Sequence, residues 1–276
     1  MITAGIDAGA ATTKAVLLRE DGIAGYVIRG TGCNFLSVAE AVYSDLLATT
    51  GIAKEEVARV YATGYGRGSI SFAGGTVSEI TAHARGVHLL YPEARGIIDV
   101  GGQDSKVIAL EDGRVTDFLM NDRCAAGTGR FLEYTARSLE VPVEDLGALA
   151  LTSVHPAGIT SMCTVFAETE VISLRARGIA KEDIAAGLIQ GIAGRIVSMA
   201  KQLGLSERVA FVGGVAKNAG MRAALEKGLG IPLCVPPEPQ ITGALGAAIT
   251  ARKAGEGRQA RNGSGRTDEM NIRAKG

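Results

Sequence analysis

The stretch GIDAGAATTK at residues 5–14 decides the fold, because a short apolar strand enters a turn of small residues and a second strand leaves it. Residues 2–19 therefore predict a hairpin, and Asp21 followed by Gly22 predicts a further hairpin turn towards residue 28. Successive backbone N–H groups in such a turn form a concavity that binds anions. The stretch thus predicts a phosphate loop.

The same pattern returns 92 residues later as DVGGQDSK at residues 99–106. At that offset Asp7 recurs as Asp99 and Lys14 recurs as Lys106, and apolar strands flank both stretches. A chance match between two Asp-x-Gly turns is the alternative explanation. The repeat predicts a duplicated α/β fold, in which two related lobes each open with a hairpin and clamp a polyphosphate between facing loops.

The remaining apolar periodicity predicts both strands and helices. Strands are expected at 57–63, 96–100, 107–110 and 209–212, and helices at 36–47, 79–90, 129–139, 165–177, 181–203, 217–228 and 242–252. The predicted domains are an N-terminal lobe at 1–95, on which the final helix packs back, and a C-terminal lobe at 96–254. Residues 255–276 are rich in glycine, serine, arginine and asparagine, which predicts a disordered tail.

The bulk composition is that of an ordinary globular protein. The chain has 276 residues, and its 29 Lys and Arg balance its 29 Asp and Glu, which argues against a nucleic-acid partner. The start lacks the basic region of a signal peptide, and no apolar run approaches the roughly 20 residues that span a bilayer. We expect a cytoplasmic protein without a membrane partner and without disulfides.

The first loop carries the groups that a magnesium-bound polyphosphate requires. Hydrated Mg2+ prefers carboxylates, waters and substrate phosphates, so Asp7 is the candidate magnesium ligand, acting through water. The candidate phosphate contacts are the small residues, hydroxyls and cation that follow it: Gly9, Ala10, Ala11, Thr12, Thr13 and Lys14.

The second loop repeats this arrangement from the opposite side. Gly101 and Gly102 are the candidate phosphate contacts, and Gln103 or Asp104 is expected to orient a water towards the terminal phosphate. Asp7, Gln103 and Asp104 are therefore the candidate catalytic residues.

A third stretch, FVGGVAKN at residues 211–218, runs from a strand through two glycines into a helix. Gly213 and Gly214 are expected to let a nucleoside lie over the backbone. The stretch matches neither the Gly-x-Gly-x-x-Gly fingerprint nor the P-loop pattern, which argues against both of those nucleotide-binding folds.

The chain has four cysteines, and none forms a Cys-x-x-Cys pair or has a histidine at zinc-ligand spacing, which argues against a mononuclear zinc site. Cys124 and Cys163 each precede a predicted helix, whose N-terminus stabilises a thiolate. Two thiolates are half of the set that a cubic iron–sulfur cluster takes, and a twofold dimer would supply the other half. Two ordinary core cysteines are the alternative. Cys234 lies in an apolar stretch typical of a buried inert thiol, and Cys33 has no assigned role.

Residues from about 2 to 253 resemble the activator (archerase) component of 2-hydroxyacyl-CoA dehydratases and the ATPase subunits of benzoyl-CoA reductase. These proteins belong to the acetate kinase, sugar kinase, Hsp70 and actin superfamily. Besides both phosphate loops and residues 211–218, the resemblance is carried by NDRCAAGTGRFLE at 121–133, CTVFAE at 163–168 and QITGALGA at 240–247.

The resemblance implies two actin-like (ribonuclease H-like) lobes with a nucleotide cleft between them. It implies a homodimer that holds one 4Fe-4S cluster through Cys124 and Cys163 of each subunit. Mg2+ and ATP hydrolysis to ADP would drive a low-potential electron into an iron–sulfur acceptor enzyme, with ferredoxin or flavodoxin as the donor. Such a protein would be oxygen-sensitive and work under anaerobic conditions.

The resemblance also implies further nucleotide contacts, at Gly127, Gly129, Glu133, Lys217, Asn218 and Gln240. The chain departs from related members at Ala10 and Ala11, where they usually carry Ser-Thr, so Thr12 or Thr13 would have to replace a lost hydroxyl. By this resemblance the acceptor would be a 2-hydroxyacyl-CoA dehydratase, a benzoyl-CoA reductase-type enzyme or a double-cubane cluster protein. The rival functions are a cluster-free sugar or carboxylate kinase and a nucleotide-dependent regulator similar to actin-like scaffolds.

Overall fold

Two five-stranded sheets form the framework of the computed structural model, which describes residues 1–121, 128–159 and 164–256. In the first sheet, β1 to β3 are antiparallel neighbours, whereas β4 and β5 run parallel to β1. The order is β3-β2-β1-β4-β5. The bounds are β1 Ile2–Ala8, β2 Thr12–Arg19, β3 Gly22–Gly30, β4 Val57–Thr63 and β5 Gly75–Thr76.

The second sheet repeats the first, strand for strand. Its order is β10-β9-β6-β7-β8, which is the first sheet's order read from the other edge. Its strands are β6 Gly96–Val100, β7 Ser105–Glu111, β8 Arg114–Asn121, β9 Val209–Val212 and β10 Leu233–Cys234.

The register of the two hairpins confirms the repeat at an offset of 92 residues. Asp7 lies opposite Lys14 in the first sheet, and Asp99 lies opposite Lys106 in the second. The second and third strands of each sheet contain an irregularity at matching positions, between residues 17 and 18 and between residues 109 and 110. The duplication therefore extends over three strands rather than over the turns alone.

Helices cover the faces of both sheets. Asn34 begins the first helix by accepting a hydrogen bond from the Ser37 N–H group at 3.1 Å, and Gly51 ends it in the left-handed conformation. The helices are α1 Phe35–Thr50, α2 Glu79–Leu90, α3 Gly129–Leu139, α4 Leu146–Leu151, α5 Thr164–Ala176, α6 Lys181–Gln202, α7 Ala219–Leu229 and α8 at 242–256.

The chain forms two units, one made of Met1–Gly86 together with the segment that begins at Gly243, and the other made of Val87–Thr242. In the first unit α8 packs on β1, since the Thr3 hydroxyl donates to the carbonyl oxygen of Ala248 at 2.9 Å. The second unit has a larger apolar core, in which α6 packs among residues such as Phe211 and Leu146. The predicted domain boundaries remain predictions, and residues 257–276 lie outside the described chain.

Most elements agree with the sequence predictions, and five of them match residue for residue: β4, β6, β9, α2 and α3. Strands β5 and β8 and helix α4 were not predicted. Strand β5 has only two residues, β8 follows β7 after a two-residue turn, and α4 is too short for its apolar residues to show a helical period.

Helix α6 bears on the expectation that no apolar run is long enough to span a bilayer. By length and composition it is the one helix in the described ranges that reaches the threshold for crossing a membrane, with a mean hydropathy of 1.2. However, 61% of that window is buried inside the protein, and core helices of globular proteins pass the same test. The helix is therefore weak support for a membrane span.

Candidate functional site

The first phosphate loop joins β1 to β2 and contains a nearly buried ion pair. Lys14 Nζ lies 3.1 Å from Asp7 Oδ2, and the two side chains are 12% and 9% exposed. The pair forms because antiparallel pairing places the two residues directly opposite each other. The loop thus presents a carboxylate next to a cation, as predicted for a site that binds a metal and a phosphate.

The second phosphate loop joins β6 to β7 and holds its lysine more tightly. Lys106 Nζ lies 3.5 Å from Asp99 Oδ2 and 2.6 Å from Asp104 Oδ2, and its side chain is 3% exposed. Asp104 is the more accessible of the two carboxylates, at 29% exposed. Gln103 is exposed at the tip of the turn. Both candidate water-orienting residues therefore lie at the accessible side of this loop.

A glycine at the end of the neighbouring parallel strand lies against each aspartate. Gly64 follows β4 with φ of 89°, and Gly213 follows β9 with φ of 86°. A Cβ atom would lie 2.5 Å from Asp7 Oδ1 at Gly64 and 2.6 Å from Asp99 Oδ1 at Gly213. Gly64 was not predicted as a site residue, because its place beside Asp7 depends on the parallel pairing of β4 with β1.

Several predicted nucleotide contacts gather at the second loop. The N–H group of Gly129 donates to the carbonyl of Gly101 at 2.8 Å, and that of Arg130 donates to Gly102 at 3.0 Å. The start of α3 is therefore bonded to the loop. Glu133, one turn further along α3, is exposed.

The third predicted stretch forms a second group in the same unit. A Cβ atom at Gly214 would lie 3.3 Å from Gln240 Nε2, so these two predicted contacts are neighbours. Lys217 Nζ lies 2.8 Å from Glu238 Oε2, an acidic partner that the sequence patterns did not indicate. The Asn218 side chain accepts the Met221 N–H group at 2.8 Å and caps α7, which is a structural use of that amide.

The hydroxyls of the first loop have different surroundings. Thr13 is fully buried, and its hydroxyl lies 2.9 Å from that of Thr31, whereas Thr12 is partly exposed. Of the two residues expected to replace the missing Ser-Thr pair, Thr12 has the accessible hydroxyl. Ala10 and Ala11, which precede Thr12 in the loop, are also partly exposed. Thr31 was not predicted, because its place in the site depends on strand pairing.

Two further unpredicted side chains lie near Asp7. A Cβ atom at Gly243 would lie 3.1 Å from Asp7 Oδ2 and 3.4 Å from His83 Nε2. Thr63 is the neighbour of Asp7 in the parallel pairing of β1 and β4. Its buried hydroxyl has no hydrogen-bond partner within the described ranges. Thr63 was not predicted, because its place beside Asp7 follows from the register of the parallel strands.

The loops fit a magnesium nucleotide by their donor set and their shape. A Cβ atom at Gly9 would lie 2.8 Å from the carbonyl oxygen of Thr12, and one at Gly101 would lie 3.0 Å from Asp104 Oδ1. A side chain at Gly9 would therefore clash with the backbone, whereas one at Gly101 would displace the Asp104 carboxylate, and such tight turns expose backbone N–H groups to anions. The carboxylate of Asp7 supplies the oxygen ligand that Mg2+ prefers.

The predicted cluster ligands Cys124 and Cys163 lie outside the described residues, as does Gly127. Their described flanks are the end of β8 at Asn121, the start of α3 at Gly129 and the start of α5 at Thr164. Helix α5 thus begins at the residue after Cys163, which fits the prediction that this thiol is at a helix start. Cys33 is exposed, and Cys234 is half-buried in β10.

Comparison with known proteins gives a family for this arrangement. Residues 4–251 match the model of the BadF/BadG/BcrA/BcrD ATPase family. The 2-hydroxyisocaproyl-CoA dehydratase activator of Clostridioides difficile is 46% identical over 255 residues, which are 91% of this chain and 95% of that protein.

Two solved structures have the same fold. Component A of the (R)-2-hydroxyglutaryl-CoA dehydratase of Acidaminococcus fermentans has a TM-score of 0.89 and 42% identity, covering 92% of this chain and 98% of its own. The activator of the 2-hydroxyisocaproyl-CoA dehydratase from Clostridium difficile, with bound ADPNP, has a TM-score of 0.89 and 43% identity, covering 95% and 98%. The predicted fold class is confirmed, and the chain belongs to the BadF/BadG/BcrA/BcrD ATPase family.

Proposed function

We propose that this protein hydrolyses ATP to deliver single low-potential electrons to an iron–sulfur acceptor enzyme, as the activator of a 2-hydroxyacyl-CoA dehydratase. The observation that carries the proposal is the pair of Asp–Lys loops, repeated in register, in a member of an ATPase family. The relative that is 46% identical is named as a dehydratase activator, which supports the choice of acceptor.

The nucleotide half of the function uses the two loops. Asp7 holds a hydrated Mg2+, while backbone N–H groups and Lys14 bind phosphate oxygens. Asp104, assisted by Gln103, orients the water that attacks the terminal phosphate. Glu133, Lys217 and Gln240 contact the nucleoside, and Gly213 and Gly214 lie beneath it. The bound ADPNP in the 43% identical activator structure supports a nucleotide in this chain.

The redox half uses Cys124 and Cys163, which would hold a 4Fe-4S cluster together with the same two residues of a second copy. When bound, the cluster supplies one-electron redox chemistry. Helix α5 begins immediately after Cys163, so its N-terminal N–H groups and dipole favour the thiolate that a cluster ligand must be. Ferredoxin or flavodoxin is the proposed donor, and the cytoplasm of an anaerobe is the proposed setting.

A physical link between the two halves supports their coupling. The first N–H groups of α3 donate to the carbonyls of Gly101 and Gly102 in the second loop. Cys124 lies in the short segment between β8 and α3. A change of the second loop on hydrolysis would therefore act directly on the helix that follows this cysteine.

Cluster content tests the redox half. We expect anaerobically purified wild-type protein to be brown, with about four irons per dimer. Cys124→Ala and Cys163→Ala should each abolish the iron. Cys33→Ala is the matched control, since Cys33 is an exposed cysteine that the proposal leaves unused, and it should keep the iron. Full iron content in both Cys124→Ala and Cys163→Ala would refute the cluster assignment.

Acceptor reduction tests the coupling. Reduced protein with Mg2+ and ATP should activate purified 2-hydroxyisocaproyl-CoA dehydratase from Clostridioides difficile, and ADPNP should not replace ATP. ATP-dependent reduction of a benzoyl-CoA reductase-type enzyme or a double-cubane cluster protein instead would change the acceptor and keep the function. A colourless protein that phosphorylates a sugar or a carboxylate would establish the cluster-free kinase.

A further inference from the structure

We infer that Thr31 is a positioning residue for the first phosphate loop, where it turns the N–H groups of Ala10 and Thr12 towards the phosphate. The inference rests on the proposed binding of ATP at this loop. Thr31 lies just after the end of β3, well separated in sequence from the loop that it contacts. Its two polar groups hold two carbonyls of that loop.

The contacts form a short buried chain. The Thr31 N–H group donates to the carbonyl of Ala11 at 3.0 Å, and the Thr31 hydroxyl donates to the carbonyl of Gly9 at 2.7 Å. The hydroxyls of Thr13 and Thr31 lie 2.9 Å apart. Because the Thr31 proton is directed to Gly9, Thr13 donates to Thr31. Thr31 is 3% exposed and Thr13 is 0% exposed, so water does not compete for these bonds.

The planarity of the peptide bond converts these contacts into a direction for the N–H groups. Within the described chain every peptide bond is trans, so each carbonyl points opposite to the N–H group of the next residue. The carbonyls of Gly9 and Ala11 point towards Thr31. The N–H groups of Ala10 and Thr12 therefore point away from Thr31, to a common side of the loop.

Two N–H groups on one side of a tight turn are a site for phosphate oxygens. They are more important in this chain because neither Ala10 nor Ala11 has a side chain that donates a hydrogen bond. In this part of the loop, backbone N–H groups therefore have to bind the phosphate oxygens. Thr31 fixes the backbone orientation on which that recognition depends.

The second loop supports the same inference independently. The carbonyl of Gly101, which is equivalent to that of Gly9, accepts the N–H group of Gly129 at 2.8 Å. The next N–H group, that of Gly102, is turned away from α3 by the same geometry. Both loops thus hold the same carbonyl, although the donors are unrelated in sequence and structure.

The experiment compares Thr31→Val with Thr31→Ser. Valine keeps the shape and the backbone N–H group but removes the hydroxyl, whereas serine keeps the hydroxyl. Isothermal titration with Mg2+-ADPNP and with adenosine separates phosphate recognition from nucleoside recognition. We expect Thr31→Val to weaken ADPNP binding about tenfold, the effect of roughly one hydrogen bond to a charged group, and to leave adenosine binding within about twofold. Thr31→Ser should bind ADPNP within about threefold of wild type.

Thr3→Val is the matched control, since the Thr3 hydroxyl also makes a buried bond to a carbonyl in the same unit, that of Ala248. It should lose stability without losing ADPNP affinity. Unchanged ADPNP binding by Thr31→Val, or an equal loss for ADPNP and adenosine, would overturn the inference. If Thr31→Val does not fold, a tenfold loss in a folded Thr31→Ser would overturn it as well. Failure of the wild type to bind ADPNP would refute the proposed function itself.

Discussion

The first and second phosphate loops have the same strand register and the same Asp–Lys pair, but they fix the same backbone carbonyl in different ways. In the first loop the hydroxyl of Thr31 holds the carbonyl of Gly9, and in the second the N–H group of Gly129 holds that of Gly101. One residue, Thr31, therefore anchors the first loop, whereas the start of α3 anchors the second. The two loops thus share a geometry but differ in the groups that hold it.

Substitution of the two lysines is expected to have the largest effect on the free energy of unfolding. Lys106 is buried against Asp99 and Asp104, whereas Lys14 pairs with Asp7 alone among the residues that the structure describes. Removing one partner of a buried ion pair leaves an uncompensated charge, so Lys106→Met should cost about 3–5 kcal/mol of unfolding free energy. Lys14→Met should cost about 2 kcal/mol, because only one carboxylate is affected. Urea unfolding without Mg2+ measures both.

An exposed lysine serves as the control for this pair of variants. Lys181 is 42% exposed and lies 3.9 Å from Glu140, so Lys181→Met should change the stability by less than about 0.5 kcal/mol. Equal losses in Lys14→Met and Lys106→Met would show that the second carboxylate adds nothing, and that the loops are energetically the same.

Substitution of the two glycines that follow β4 and β9 is expected to cause the next largest loss of stability. Gly64→Ala and Gly213→Ala each place a Cβ atom against an aspartate and a backbone carbonyl at positive φ, and each should cost about 3 kcal/mol. Gly51→Ala is the control, because Gly51 also has positive φ, of 67°, but nothing lies within 4 Å of its Cβ position. It should cost about 1 kcal/mol. A loss confined to one of the two test variants would break the equivalence of the two strands.

The duplication could be predicted because it is visible in short stretches of the sequence. Asp7 and Lys14 recur at a fixed offset, and the apolar strands around them have simple alternation. Strand β8 could have been predicted from the same repeat, since β3 has to have a counterpart. Its sequence leaves exposed apolar residues such as Phe118 and Met120, which weakens the usual pattern of a half-buried strand.

The positions of Thr31, Gly64 and Thr63 in the site could not be predicted, because each depends on which strands pair. Thr31 reaches the first loop through the pairing of β2 with β3, and the other two reach Asp7 through the parallel pairing of β1 with β4. Parallel neighbours are joined by long connections, so sequence spacing carries no register information. The family motifs did indicate Gly129 and Gln240, which the fold places beside the second loop and Gly214.

The two carboxylates proposed to be catalytic, those of Asp7 and Asp104, test how the loops divide the chemistry. Asp7→Asn should lower the ATP turnover number about 100-fold, which corresponds to about 2.7 kcal/mol, and should raise the Mg2+ concentration for half-maximal rate. Asp104→Asn should lower turnover by a similar factor without changing the Mg2+ requirement, because its proposed role is to orient water. Steady-state hydrolysis over a Mg2+ titration distinguishes them. An equal shift of the Mg2+ requirement in both variants would contradict this division.

The smallest expected effect concerns the strand position beside each aspartate, which is Thr63 next to Asp7 and Val212 next to Asp99. Thr63→Val gives the first sheet the residue type of the second. Because the Thr63 hydroxyl is buried without a partner within the described ranges, its removal should leave the nucleotide-free protein equally stable or raise its stability by up to about 1 kcal/mol.

Thr3→Val is the matched comparison in the same sheet, where the lost hydroxyl does donate to a carbonyl, and it should cost about 1 kcal/mol. Thermal unfolding measures both variants. A larger loss in Thr63→Val than in Thr3→Val would mean that the Thr63 hydroxyl is bonded in the free protein. Retained stability with weaker Mg2+-ADPNP binding would instead mean that the first sheet keeps this hydroxyl for its ligand, a use that valine in the second sheet cannot serve.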